Sequence, residues 1–280
     1  MSNDQRQAAF HATGFLGEHM GAHITDIRAQ NAEWFALAED LNEVLQKIAL
    51  RGVEVNRGDN FEPHTVATRL FLRSCGNFQG AVLMAERGMV TEGQTLARSL
   101  LENAFCLAAI HDKPEEFVTL LKADAEAARR MQGQFVIAEG LHSGSDPATR
   151  KRLQDVVAAI GKDLNLLSPK KVSRMGPFNR QYLAYQKLSN DAAHPSATSL
   201  HRFMATTADR SGWHYRWGPG KAEEIAFTIN MAILTGISVA VAFTQITKDD
   251  VHNEILGPLA ERLKALPEPQ GRVGASSVSL

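Results

Sequence analysis

Hydrophobic residues recur at three- and four-residue steps along most of the 280-residue chain, which is the spacing of an amphipathic α-helix. The pattern is clear in segment 26–51, where apolar side chains from Ile27 to Ile48 follow this period. Further helices are predicted over 63–87, 91–111, 114–140, 147–163, 178–194, 221–247 and 251–265. No stretch alternates long enough to indicate a sheet. The pattern therefore predicts an all-α fold, a helical bundle of about seven or eight helices built around a long central antiparallel hairpin.

Turn-forming residues mark where several of these helices begin and end. Asp146 is a candidate N-cap for the helix that follows it. Pro195 disfavours helical backbone at His194, so a helix should end there. Two segments between helices contain prolines and glycines and are predicted to be loops, the second with room for a short ribbon: 168–177 and 209–220.

The composition is that of an ordinary globular protein, with 44% hydrophobic and 22% charged residues and a net charge of -1. This near-zero charge removes any argument from composition for a nucleic-acid or anionic-membrane partner. We divide the chain into an N-terminal helical segment (1–56), a main helical-bundle domain (57–266) and a disordered tail (267–280).

Several features predict a cytoplasmic protein. The first residues lack the basic start and apolar core of a signal peptide, and Cys75 and Cys106 are expected to be buried, reduced thiols. The segment from Ile225 to Thr247 carries no charge and is long enough to cross a bilayer. Its Thr, Ser, Asn and Gln residues favour a buried bundle helix instead, and we expect no membrane span.

A stripe of polar residues crosses the otherwise apolar helix predicted over 91–111. Its members lie on neighbouring rows of the helix at four-residue spacing: Arg98, Ser99, Glu102 and Asn103. Two interpretations are open. The stripe is either a narrow exposed edge with a weak Arg98–Glu102 pair, or the wall of an internal polar pocket in which Glu102 orients Arg98. In the second case Arg73, on the preceding helix, extends the wall.

The predicted helix end before Pro195 is a second candidate site. Asn190 and Asp191 precede His194 by four and three residues, so one helical turn places them beside the imidazole. A neighbouring carboxylate favours the charged imidazole and orients the ring, as a general acid or base requires. The alternative is a structural helix terminus, where the histidine complements the last carbonyl groups.

The sequence RSLLE from Arg98 to Glu102, followed by a tyrosine-rich helix and the S-x-x-x-x-H-P segment that begins at Ser189, resembles an uncharacterised bacterial family of all-helical proteins. More remotely, it is similar to the HEPN superfamily of helical-bundle nucleases and nucleotide-binding domains. The resemblance covers about residues 60–245. HEPN nucleases place an arginine shortly before a histidine, but Ser189 stands at that position here, so Arg98 must supply the guanidinium.

The resemblance implies that the chain binds or cleaves RNA without a metal or cofactor, as a homodimer in a bacterial defence or toxin setting. His194 would move a proton at the ribose 2′-hydroxyl or the leaving oxygen, and Arg98 would stabilise charge on the phosphate. Asn190 or Asp191 would hold the imidazole. The residues expected to support these four are Glu102, Ser189 and Arg73.

Two segments carry patterns that suit a nucleic acid. Between residues 150 and 180, eight basic side chains stand against two acidic ones. Four of the eight are candidates for substrate binding: Lys170, Lys171, Arg174 and Arg180. Trp213 and Trp217 alternate with cationic side chains, as on base-stacking surfaces. The simpler alternatives are a solvated basic face and a loop whose tryptophans cap the bundle core.

His19 and His23 are one helical turn apart, a spacing that suits a metal pair, although the glycines around them argue against a stable helix. No phosphate-binding loop or hydrolase elbow is present in the sequence, and we expect no cofactor. Two other functions remain open: a non-catalytic helical interaction protein, and a metal-bound helical-bundle enzyme that acts on a small molecule.

Overall fold

The computed structural model describes residues 3–55, 58–161, 164, 166–207, 209 and 211–269. Helices make up 78% of it, and the prediction of an all-α bundle is confirmed. Residues 270–280, most of the predicted disordered tail, lie outside the described part, as do Lys162 and Asp163 of the basic segment.

Twelve α-helices and one pair of short strands occur in the described residues. In chain order the elements are α1 (Asn3–Thr13), α2 (Met20–Gln30), α3 (Ala32–Val55), α4 (Pro63–Glu86), α5 (Val90–Asp112), α6 (Pro114–Ala138), α7 (Pro147–Ala159), α8 (Pro169–Ser173), α9 (Tyr182–Leu188), α10 (Ala197–His201), β1 (Met204–Thr206), β2 (Trp213–Tyr215), α11 (Ala222–Thr247) and α12 (Asp250–Ala265). The number exceeds the expected seven or eight because the N-terminal region divides into three helices and two helices have only five residues.

The predicted central hairpin is α4 and α5, which run antiparallel and pack along their length. The turn between them contains Gly88 with a φ of 75°, a backbone conformation that glycine adopts without strain. Gly93 allows α5 to approach its neighbours closely, because a Cβ there would lie 2.8 Å from Thr228 on α11.

Helix α11 lies against both hairpin helices and α3, at the centre of the core. Phe243 stacks on Phe71 of α4 with ring centroids 4.4 Å apart. The helix is long and apolar enough to cross a membrane, but 72% of its most apolar stretch is buried within the bundle. Such burial is typical of the core helix of a folded domain.

Several predicted boundaries are wrong, among them that of the helix expected over 147–163, which ends at Ala159. The helix expected over 26–51 is divided at Asn31, whose side-chain amide donates to the carbonyl of Ile27 at 3.0 Å and closes the end of α2. The loop expected over 168–177 contains α8, which begins with a proline at its first position, where the missing N–H costs nothing.

The helix predicted over 178–194 is α-helical only from Tyr182 to Leu188. A short 3₁₀ segment precedes α9, and a π-helical turn, Ser189–Ala193, follows it. His194 itself has extended backbone, as the proline after it requires. Asp146, in contrast, is confirmed as the N-cap of α7 and accepts bonds from the N–H groups of Ala148 and Thr149.

The expected ribbon exists between β1 and β2, which pair antiparallel with Ala205 opposite His214. The backbone N–H of Gly220 donates to the carbonyl of Gly88 at 2.8 Å, and this bond fixes the ribbon to the turn of the central hairpin. Side chains of α3 belong to the same core as those of α4, α5 and α11. The division of the chain near residue 56 stays a prediction.

Candidate functional site

The middle of α5 holds a closed polar cluster. Arg98 donates from Nη2 to the Tyr185 hydroxyl at 2.6 Å and lies 3.1 Å from Glu102 Oε1. Its guanidinium carbon is 4.8 Å from the centroid of the Tyr185 ring. The Arg98 side chain is 17% exposed. We call Arg98, Glu102 and Tyr185 the Arg98 centre.

The groups of the Arg98 centre contact one another, although the buried Arg98 Nε has no hydrogen-bond partner among the described residues. Burial, followed by the hydrogen bond to Glu102, raises the pKa of Tyr185, so the phenol stays protonated and donates to that carboxylate. Arg98 and Glu102 pair, as both interpretations of the polar stripe expect, and the pair is largely enclosed, unlike an exposed edge.

Arg73 does not extend the Arg98 centre. It is exposed on α4, and its charge acts on Cys106. Burial is the main cause that raises the pKa of the Cys106 thiol to about 12, and burial raises that of Cys75 to about 11. Both thiols are free and protonated at neutral pH.

An open cleft of about 450 Å³ lies where the beginning of α5 meets the end of α9. We call it the Lys187 cleft. Its walls come from the start of α5, the end of α9 with the π turn, α10 and the start of α11: Gln94, Lys187, Asp191, Ala197, Thr198, His201, Arg202, Glu224 and Phe227. Unlike the Arg98 centre, it offers space for a ligand between its charged groups.

Lys187 and Asp191 are both shifted toward their neutral forms. Burial lowers the pKa of Lys187, and the Asp191 charge opposes this. Burial raises the pKa of Asp191, against the opposing charges of Lys187 and Arg202. The Lys187 amine lies 5.1 Å from the centroid of the Phe227 ring. Shifted groups that line a cleft are typical of functional sites.

Arg202 stands between this cleft and a second one. It donates to Thr91 Oγ1 and to Glu224 Oε1, both at 2.9 Å. Arg202 and Glu224 also line a cleft of about 420 Å³ under the ribbon, which we call the ribbon cleft. Other charged and aromatic residues that line it are Phe15, Glu92, Phe203, Arg216, Trp217 and Lys221.

The aromatic side chains of the ribbon face solvent. Trp213, Tyr215 and Trp217 are 54%, 69% and 53% exposed. Trp213 and Tyr215 contact edge to face with centroids 5.0 Å apart, and Trp217 stacks on His11 at 4.5 Å. The alternative in which these tryptophans cap the core is wrong.

The structure does not bring Arg98 and His194 together. His194 is exposed, and its carbonyl accepts from Ser199 Oγ at 2.9 Å. No hydrogen bond, ion pair or ring contact joins its imidazole to Arg98 or Asp191 in the part of the chain described here. Of the predicted group, Asp191 lines the Lys187 cleft.

Ser189 and Asn190 lie in the π turn. Asn190 is exposed, and its carbonyl accepts from Ser196 Oγ at 2.6 Å. Ser196 also forms a capping box with Ser199 at the start of α10. These bonds fix the backbone that carries Asp191 into the cleft and leave the His194 side chain outside it.

The predicted basic residues lie far from the ribbon. All four are exposed on α8 and the segment after it: Lys170, Lys171, Arg174 and Arg180. Gly176 packs so closely on Ala108 that a Cβ would lie 2.8 Å from it, whereas the Lys187 cleft begins at Gln94. These two α5 positions are about 21 Å apart at 1.5 Å per residue. The predicted substrate-binding residues thus form two separate groups.

His23 lies in helix α2, contrary to the expectation from the glycines, whereas His19 directly precedes that helix. His19 is the N-cap of α2, and its ring centroid is 5.9 Å from that of His23. Burial and the neighbouring Arg6 lower the pKa of His23. Among the residues that the structure describes, no group of three or more His, Cys, Asp or Glu side chains is placed to hold a metal ion.

Several residues of the clefts were not predicted. Lys187 carried a usable signal, because its four-residue spacing from Asp191, which was predicted as a site residue, places the two on one face of a helix. The remaining residues come from separate elements, and no local pattern indicates that they meet: Gln94, His201, Arg202 and Glu224.

The profile of a family of unknown function, DUF5677, matches residues 64–211, which is more than half of the 280 residues. Neither the curated proteins nor the solved structures contain a match to the chain. The matched part includes the Arg98 centre and most of the Lys187 cleft, whereas Trp213, Trp217 and α11 follow it. The chain belongs to the DUF5677 family.

Proposed function

We propose that this protein is a HEPN-like helical protein that binds single-stranded RNA on the exposed face of the ribbon and in the two clefts beside it. The observation that carries the proposal is the exposure of Trp213, Tyr215 and Trp217. Burying these rings in the core would be favourable, and their exposure instead leaves ring faces for stacking, one face in the case of Trp217 because His11 covers the other. Unpaired bases stack on such rings, whereas bases in a duplex are already stacked.

Cations accompany the rings. Arg216 and Trp217 line the ribbon cleft together, and Arg202 connects that cleft to the Lys187 cleft. Phosphate groups of a strand stacked on the ribbon would therefore meet arginine side chains, which bind phosphate through paired N–H groups.

Charge in the two clefts is nearly balanced, and this sets the kind of binding expected. Four basic side chains, Lys187, Arg202, Arg216 and Lys221, stand against Asp191, Glu92 and Glu224. Counterion release should thus contribute little and stacking should dominate. We expect the affinity for RNA to fall only weakly as the salt concentration rises. The slope of log affinity against log salt should correspond to about one or two phosphate contacts.

Cleavage stays a separate prediction, and so does the homodimer. Arg98 is occupied by Glu102 and Tyr185, so RNA cleavage by Arg98 with His194 requires the Arg98 centre to open. Cleavage is tested by incubating single-stranded RNA with the wild-type protein, with and without a chelator, and with the His194→Ala variant. Light scattering of the same sample tests the homodimer.

The test of binding is fluorescence anisotropy with a labelled 12-nucleotide uridine strand and with a duplex of equal length. Wild type should prefer the single strand. Trp213→Ala combined with Tyr215→Ala should weaken binding by about tenfold or more, since base–ring stacking contributes about 1–3 kcal/mol per base.

Phe135→Ala is the matched control, because this ring is exposed on α6 and lines neither cleft. It should leave the affinity for RNA unchanged. Wild-type protein that binds no RNA, or a Trp213/Tyr215 double variant that binds as tightly as wild type, contradicts the proposal.

A further inference from the structure

The Lys187 cleft contains an amine and a carboxyl group that stacking of RNA on the ribbon does not use. Lys187 is the last-but-one residue of α9, and Asp191 lies one turn later in the π turn. Both line the cleft of about 450 Å³. Single π turns are rare in proteins, and those that occur are often at functional sites. The backbone conformation and the side chains therefore both indicate this site.

The surroundings of the amine favour a nucleophile. The Lys187 amine is 5.1 Å from the Phe227 ring centroid, and no ion pair holds it among the described residues. Burial lowers its pKa, which increases the fraction of neutral amine at neutral pH. A lysine that is desolvated beside an apolar group is the form that attacks carbonyl compounds.

Two neighbours complete the site. Burial raises the pKa of Asp191, so its carboxyl group holds a proton more readily than an exposed one and can pass it to an oxygen atom. Arg202 uses one N–H for Thr91 and one for Glu224. A guanidinium has five N–H donors, so others stay available for an anion.

We propose that the Lys187 amine forms an imine with a 2-oxo acid bound in this cleft, with the carboxylate of the ligand on Arg202. The amine nitrogen attacks the carbonyl carbon while Asp191 protonates the carbonyl oxygen. The nitrogen then returns a proton to Asp191, the hydroxyl group leaves as water with that proton, and a C=N bond forms on a nitrogen that still carries one proton. Transfer of this last proton to Asp191 gives the neutral imine and restores the carboxyl group. Amine and carbonyl compound give imine and water, with no change of oxidation state. This inference does not depend on RNA binding, because stacking on the ribbon does not use Lys187 or Asp191. RNA that entered this cleft would compete with the 2-oxo acid for Arg202.

The test uses pyruvate and cyanoborohydride with the full chain at pH 7, followed by peptide mass spectrometry of every lysine. Hydride reduction of an imine leaves a stable carboxyethyl group on the lysine that formed it. Lys187 should be modified roughly tenfold faster than Lys264, since binding places amine and carbonyl together, and the rate should saturate with pyruvate concentration. Lys264 is 71% exposed and serves as an internal control.

Asp191→Asn sharpens the test. It should slow modification of Lys187 by about tenfold or more, as loss of a general acid does, and leave Lys264 unchanged. Acetaldehyde, which has no carboxylate for Arg202 to bind, should show a smaller preference for Lys187 in wild type, with no saturation. Equal rates at Lys187 and Lys264 with pyruvate, or an unchanged Lys187 rate in the folded Asp191→Asn variant, overturn the proposal. Circular dichroism of the variant confirms that it is folded.

Discussion

The Arg98 centre and the Lys187 cleft lie along the same pair of packed helices, and each combines a cation, a carboxylate and an aromatic ring. In the Arg98 centre these groups contact one another at 2.6 Å and 3.1 Å. In the Lys187 cleft, Lys187 and Asp191 border about 450 Å³ of open space. The same residue types therefore stabilise the fold where they are closed on each other, and are available to a ligand where they are held apart.

The largest expected effect is on stability, at the Arg98 centre. Arg98→Ala leaves Glu102 without its ion pair and Tyr185 without a donor. Breaking a largely enclosed pair should lower the free energy of unfolding by about 2–3 kcal/mol, measured by urea denaturation. RNA affinity of the folded variant should not change.

Arg73→Ala is the matched control, because Arg73 is exposed on the adjacent helix. It should change the free energy of unfolding by no more than about 0.5 kcal/mol. If folded Arg98→Ala protein loses RNA affinity, the Arg98 centre is part of the ligand site and the comparison fails.

The second effect is on binding, at the ribbon. Trp217→Ala should weaken binding of single-stranded RNA by about tenfold, because one stacking surface is lost, while the melting temperature stays close to that of wild type. Trp217→Phe should retain most of the affinity. Equal losses in both variants would show that the indole N–H, and not stacking, binds the RNA.

The third effect is a gain of stability in the Lys187 cleft. Burial raises the pKa of Asp191, so its ionised form is less favourable in the folded state than in the unfolded state. Asp191→Asn should thus raise the free energy of unfolding at pH 7 by about 0.5–1 kcal/mol, in the range seen when an unfavourable surface charge is removed.

The sign of this effect depends on pH. Above the raised pKa of Asp191 the whole advantage of Asp191→Asn is present. As pH falls through that pKa, wild type takes up a proton in the folded state and the advantage shrinks. It vanishes below the usual aspartate pKa of 3.8. A constant difference in urea melts from pH 7 to pH 3.5 would contradict the assignment.

The smallest effect is expected at the basic segment. Replacing Lys170, Lys171 and Arg174 by alanine should weaken RNA binding no more than about threefold. The segment that carries them packs on α5 near Ala108, which is about 21 Å along that helix from Gln94 in the Lys187 cleft. A tenfold loss, with a reduced dependence on salt, would show that the strand reaches this end of the bundle.

The sequence was informative where structure depends on neighbours in the chain. Helical period and proline positions predicted the α4–α5 hairpin and α11, and four-residue spacing predicted the Arg98–Glu102 pair. Asn31 was missed because a single side-chain bond to Ile27 ends α2 inside an otherwise continuous apolar pattern. The short helix α8 was missed because five residues carry no measurable period.

The site was less predictable because it depends on contacts across the chain. Tyr185 lies 87 residues from Arg98, and Glu224 lies 22 from Arg202, so no local spacing joins them. Asp191 lies in the π turn and lines the cleft, whereas His194 has extended backbone before Pro195, so the two do not share one helical turn. The exposure of the tryptophans likewise depends on where the ribbon packs on the bundle. Residue type alone does not predict that position.

Ultraviolet crosslinking of single-stranded RNA that contains 4-thiouridine, followed by peptide mass spectrometry, tests the central claim most directly. We expect crosslinks on the peptide that carries Trp213, Tyr215 and Trp217, and their loss when unlabelled single-stranded RNA is added in excess. Crosslinks confined to the peptide with Arg98 or to segment 168–181, with none on the ribbon, would contradict it.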